Sequence, residues 1–420
     1  MRFKKYIFLS LVLCGFAACS DDNTIEIPET PVLEKAQLAL AIKSEEGTTT
    51  KAGETSPTDA DVNTLTVGVF GTGWNVVYTK DATDSENNTK VVGPQEVYAG
   101  AAKVVVVANA SEEVKTALQG AASLDDFIAT TIKLEEETLT KGLTMSSEVL
   151  GVTLIANATN YIGYAEGGTT GEITVDGQTG QEVYGKGPVK LVRDVASIAL
   201  TAVTVGNPTD ANYESVDFSL KEVFIASAKG VSSVASTGYW KSIEKTFDFA
   251  DAGFGYGNYK VGQSFAANID EGSYKKGTQA VLQGLSKADE ESSSAEGHEF
   301  YVYENVLGEV AEADRASANT EYANHTLLIV KGDYIYKPEG AAGNVTKNDC
   351  YYAVPVGANV TVEGEEKSGF YVKRNYKYAI TLTIIGPGSE IPYDPMISTN
   401  VSASVKVEPW NVKTIHEEVE

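Results

Sequence analysis

Few side chains in this sequence are equipped for covalent or metal chemistry. The 420 residues include three cysteines and three histidines. Cys19 follows Phe16, Ala17 and Ala18, the arrangement in which bacterial lipoprotein processing acylates a cysteine thiol and its freed amine, so Cys19 is assigned as the lipidated N-terminus. Cys14 competes weakly, because Leu11, Val12 and Leu13 before it lack the small residues that a processing pocket needs. With the leader gone, Cys350 is the only thiol besides the acylated one, which excludes an intrachain disulfide and leaves stability to burial. His298, His325 and His416 lie outside metal-ligand spacing of one another and of Cys350, so no metal is expected. Carboxylate runs such as Glu135, Glu136, Glu137 and Asp289, Glu290, Glu291 read as solvated faces, and Asp59 with Asp61 is too unspecific for calcium. The glycine-dense stretch 253–257 lacks the preceding strand and the Lys-Ser/Thr of a phosphate loop and reads as a loop. No catalytic residue and no cofactor is expected, and the chain reads as no enzyme.

One further chemistry is available, which is cutting. Lys51 before Ala52 sits in a run of Thr48, Thr49, Thr50 and Gly53, a small-residue linker suited to a trypsin-like protease. The elements on either side give such a cut its meaning. Residues 1–18 combine Arg2, Lys4 and Lys5 with an apolar run over 6–16, a secretory signal too short to span a bilayer core that needs about 20 residues. Residues 19–36 are rich in acidic residues, Thr and Pro and read as a tether. The segment 37–51 opens with Leu38, Leu40 and Ile42 on one face of a strand. The formal charge of −25 argues against nucleic acid and against docking on anionic lipid, so contact with a membrane is expected only through the lipid on Cys19.

Beyond the linker, apolar residues alternate with period two in short segments bounded by Gly, Asn, Asp and Ser, the pattern of antiparallel strands with one buried face. Leu65, Val67 and Val69 share a face. Residues 104–107 are apolar on both faces and predict a central strand. Ser111 caps a predicted helix carrying Val114 and Leu118, and Ser123 with Asp126 has capping-box spacing for a second. Strands are predicted at 195–205, 216–226, 300–306, 326–336 and 376–385. The glycine-rich stretch 163–187 reads as a loop or hairpin next to a domain boundary near Gly187 and Pro188, giving an N-terminal domain over 52–187 and a C-terminal domain over 188–420. The fold class is mainly β, with one or two short helices in the N-terminal domain.

Three stretches carry a resemblance: Asn160, Tyr161, Ile162, Gly163, Tyr164; then Val189, Leu191, Arg193; then Arg374, Asn375, Tyr376, Lys377, Tyr378 followed by Gly386, Pro387, Gly388 and Trp410. Together they resemble the major fimbrial subunit, or fimbrillin, family of type V pili. The resemblance runs from about Leu38 to the C-terminus and implies two transthyretin-like β-sandwich domains. It also implies a lipidated outer-membrane precursor from which a protease removes the first strand, at a position matched here by Lys51 and Ala52. Lys where the family archetype has Arg favours a protease that accepts Lys.

Losing 37–51 strips Leu38, Leu40 and Ile42 from a core slot, which a strand from another copy can refill. Residues 401–407 alternate apolar and polar and read either as that donor or as the last strand of their own domain. The tail carrying Trp410, Val412, Ile415 and Val419 is the preferred donor. Head-to-tail insertion does not close, so it builds a filament. The expected partners are other copies of the chain, accessory and tip subunits, the maturation protease and host surface molecules. The competing role is a tip or accessory adhesin binding host glycan or protein.

Overall fold

The computed structural model describes residues 33–44, 61–84, 89–165, 167–206, 208, 212–226, 231–234, 263–264, 299–304, 326–362, 365–390 and 401–409. The first part of the chain contributes β1 (Lys35–Ser44), β2 (Thr64–Gly71), β3 (Trp74–Asp81), β4 (Thr83–Asp84), β5 (Lys90–Tyr98), β6 (Gly100–Ala108), α1 (Glu112–Gln119), α2 (Leu124–Ile128), β7 (Thr131–Lys133), β8 (Met145–Ser147), β9 (Leu150–Leu154), β10 (Thr159–Ile162), β11 (Gly171–Val175), β12 (Gln178–Glu182) and β13 (Val189–Arg193). All of these strands except β7 join one hydrogen-bonded set of 12 strands that folds over itself as a sandwich. One layer is built on β5, β1, β10 and β13, the other on β3, β2, β6 and β9, and β13 pairing with β8 turns the corner between them.

The predicted central strand is β6. Val104 and Val106 point into the sandwich with Leu65, Val67 and Val69, while Val105 and Val107 point outward against α1 and α2. Both helices begin where their caps predict. The Ser111 hydroxyl accepts from the Val114 N–H and the Ser123 hydroxyl from the Asp126 N–H, which satisfies N–H groups a helix start leaves open. Val114, Leu118 and Phe127 bury against the outer face of β6 and β2, with the Phe70 and Phe127 rings edge to face at 5.6 Å.

The second part contributes β14 (Val195–Val205), β15 (Tyr213–Ala226), β16 (Val231–Ser233), β17 (Gln263–Ser264), β18 (Glu299–Tyr303), β19 (Leu327–Pro338), β20 (Val345–Pro355), β21 (Ala358–Val362), β22 (Glu365–Tyr371), β23 (Tyr376–Ile384) and β24 (Val401–Pro409). A sheet ordered β17, β18, β14, β23, β24 faces a sheet ordered β15, β19, β20 across a second core that includes Ile198, Leu200, Phe218, Val330, Tyr352 and Ile380. The molecule is thus mainly β, built as β-sandwiches. The strand β13, expected to open the second domain, completes the first sheet. The Gly187–Pro188 signal marks the loop before it, and the sheets change at Asp194.

That junction is polar and buried. Arg374 donates through Nη1 to Asp194 at 2.6 Å, through Nε to Glu304 at 2.9 Å and through Nη2 to the other Glu304 oxygen at 2.5 Å. Ser146 Oγ donates to the second Asp194 oxygen at 2.7 Å, and Tyr303 donates its hydroxyl to the buried Glu137 at 2.9 Å. The backbone N–H of Arg193 reaches Asn375 Oδ1 at 3.3 Å, so two of the stretches that carry the resemblance meet across 182 residues of chain. The Cys350 thiol is buried, which raises its pKa. Among the described residues no helix is long and apolar enough to cross a membrane.

Candidate functional site: the slot of the first strand

The strand β1 occupies the middle of its layer. On one edge it runs antiparallel to β5 from Lys35 opposite Tyr98 to Ile42 opposite Lys90. On the other it runs parallel to β10, with Gln37 to Leu40 opposite Thr159 to Ile162, and then parallel to β13, with Ile42 to Ser44 opposite Val189 to Leu191. The register shifts between Leu38 and Leu40, where β5 carries Gly93 and Pro94. A proline cannot donate to a ladder, so it sits where a bulge excuses it.

Inside the sandwich, Leu38, Leu40 and Ile42 are wholly buried, each worth about 1.5–3 kcal/mol relative to exposure. They pack with Val92, Val97, Ile162, Val189 and Leu191, which line the slot from the neighbouring strands. The outward-facing Ala39 and Ala41 are also buried, at 1% and 3% exposure. Tyr161 lies in register with Ala39, the Tyr164 ring packs edge to face on Tyr161 at 5.0 Å, and the Tyr164 hydroxyl donates to the Leu40 carbonyl at 3.5 Å. Burial pushes that hydroxyl up to about 12, so it remains a donor at neutral pH.

The slot walls are held by their own bonds. Asn160 is fully buried; its amide donates to the carbonyls of Gln37 at 3.1 Å and Ile155 at 3.0 Å, and its Oδ1 accepts from the Ile155 N–H at 2.8 Å. Glu182, 1% exposed at the end of β12, accepts from the backbone N–H groups of Gly163, Tyr164, Ala165, Tyr184 and Gly185 at 2.9–3.3 Å. Sequence reasoning passed over Glu182 because a glutamate in a glycine-rich stretch looks solvated. The density of glycines around it is the signal that backbone amides converge there.

The structure therefore brings the predicted strand face of Leu38, Leu40 and Ile42 together with the Asn160 to Tyr164 and Val189 to Leu191 stretches. The segment after β1 links it to β2, so a cut there separates β1 covalently from the strands that follow. Lys51 and Ala52 in that segment, Cys19, and Trp410, Val412, Ile415 and Val419 of the tail all lie outside the described residues. The other terminal alternation, β24, pairs along its whole length with β23 at a sheet edge, from Val401 opposite Ile384 to Pro409 opposite Tyr376.

A family model for the major fimbrial subunit protein (FimA) matches residues 36–193, the stretch from β1 to the end of β13. A major fimbrium subunit FimA type-2 of Porphyromonas gingivalis is 26% identical over 431 residues, and a type-4 subunit of strain W83 is 28% identical over 441; both alignments cover 98% of this chain and 98% of the relative. Among solved structures, a candidate cell adhesion protein from Parabacteroides distasonis is 64% identical with a TM-score of 0.72, covering 90% of this chain and 100% of its own. A fimbrilin from P. gingivalis W83 shares the fold at 21% identity with a TM-score of 0.54, covering 90% and 98%. The chain belongs to the major fimbrial subunit family.

Proposed function

We propose that this chain is the shaft subunit of a cell-surface fimbria and that the slot of β1 is its assembly site. It reaches the outer membrane as a precursor lipidated on Cys19. A trypsin-like protease cuts between Lys51 and Ala52, β1 leaves, and the C-terminal end of another copy enters. The observation that carries this reading is the position of β1: a strand paired on both edges, with residues 38–42 all buried, that is followed by the segment carrying Lys51 and Ala52. Its loss opens two ladder edges and an apolar trough at once, which a single incoming strand closes. Repetition is heterologous and gives a filament, assisted by accessory and tip subunits and serving adhesion to host surfaces. The chain has no catalytic part in this.

The test is limited trypsin treatment of the soluble precursor carrying Cys19→Ser, with mass spectrometry of the new N-terminus and electron microscopy of the product. Cleavage after Lys51 followed by filaments is the expected result. Cleavage with a product that stays monomeric points to a tip or accessory adhesin instead.

A further inference from the structure

We propose that residues 163–165, pinned by Glu182, form a side-chain size filter over the outer face of the slot. The filter admits only strands that present small residues where β1 presents Ala39 and Ala41. This rests on the reading of the slot as the site of strand exchange.

On the outer face of a sheet, side chains ordinarily meet water, yet Ala39 and Ala41 are as enclosed as the core-facing leucines. Beside them stand Tyr161, in register with Ala39, the Tyr164 ring packed on it, and the backbone of Gly163. A Cβ added to Gly163 would lie 2.5 Å from the Ala41 carbonyl oxygen, and its φ of +88° is one that glycine adopts freely. The wall therefore touches the strand's backbone, and the enclosure of Ala39 and Ala41 leaves little more than a methyl group's room at each outer position. Its backbone is also pinned by bonds that do not involve β1. All five N–H groups on the Glu182 carboxylate come from 163–165 and 184–185, and none from the strand. Those five bonds do not depend on an occupied slot, and a preorganised groove loses little freedom on taking a guest.

The guest must then read apolar, small, apolar, small, apolar. Val401, Ser402, Ala403, Ser404, Val405, Lys406 follows the alternation of Leu38, Ala39, Leu40, Ala41, Ile42, Lys43, with Ala403 where β1 has the larger Leu40. Among the described residues β24 pairs along one edge only, with Val401 and Val405 half-buried and Ala403 exposed. In the slot of a second copy the same residues would be fully enclosed and paired on both sides. The tail offers no equivalent register. With Ile415 and Val419 inward, His416 and Glu418 meet the filter; with Trp410 and Val412 inward, Asn411 or Lys413 does. The filter selects β24 over the tail as the donor.

The experiment uses the full chain with a site-specific protease sequence inserted after Lys51, cut, and offered fluorescent peptides that compete with the resident strand. Peptides of residues 35–44 and 400–409 should enter. A 35–44 peptide carrying Ala39→Leu and Ala41→Leu should bind about 30-fold more weakly, the scale of an overpacked site. Tyr164→Ala in the protein should restore most of that loss while leaving the unaltered peptide's affinity within about threefold. The peptide series on the unaltered protein decides the matter even if Tyr164→Ala does not fold. Failure of the native 35–44 peptide to enter would refute strand exchange itself. Entry of native peptide together with equal binding of the leucine peptide, or with entry of a 410–420 peptide as readily as 400–409, would overturn the filter.

Discussion

Lys51→Ala should leave the precursor folded and monomeric under conditions in which the native chain forms filaments, an all-or-none difference visible as missing ladders on denaturant-resistant gels. The change touches a linker, so the thermal midpoint should not move. It withholds only the cut. With β1 in place, both slot edges are paired and the trough is filled, leaving nothing for a second copy to bind. Long ladders from the variant would show that the chain polymerises with its own first strand still seated.

The second large effect concerns the junction between the sandwiches. Arg374→Met keeps the volume of the side chain but leaves Asp194 and Glu304 buried without their cation, and breaking one partner out of a buried ionic set costs about 3–5 kcal/mol. Urea unfolding at pH 8 should show the loss as a lower midpoint at an unchanged slope. Burial pushes the Asp194 carboxyl up to about 8, with Arg374 and the Ser146 hydroxyl holding it from rising further. Because the folded value lies above the unfolded one, the native state holds a proton the unfolded chain has released. The stability from this group is complete below about pH 4 and is lost as pH rises through about 8. Asp194→Asn should therefore flatten the decline in stability between pH 5 and 8, and Arg374→Met should widen its deficit above pH 8.

Much of the local structure was legible because it is written locally. Ser111 and Ser123 mark the helix starts, the four valines of 104–107 mark a strand buried on both faces, and β14 runs over the residues its composition predicts, 195–205. The pairing of β1 was not legible. Its parallel partners lie more than 100 residues away, and nothing in a period-two pattern says whether a strand is central or at an edge. The site was half visible: the inward apolar face of β1 could be read, while the closed outer face depends on Glu182 gathering amides from two segments. Composition also misplaces β13, since Gly187 and Pro188 announce a turn and say nothing about which sheet the next strand joins.

In the proposed assembly, β1 must leave its slot before copies can join. Gln37 on β1 lies opposite Glu96 on β5, and directly opposed residues of an antiparallel pair stand within reach of a disulfide. In a chain with Cys14→Ser and Cys19→Ser, the pair Gln37→Cys and Glu96→Cys can be locked by oxidation, the chain cut after Lys51, and filaments counted by electron microscopy before and after reduction. Monomers are expected while the bond is closed and filaments once it is reduced. Filaments of equal number and length from the oxidised, cut protein would contradict this assembly.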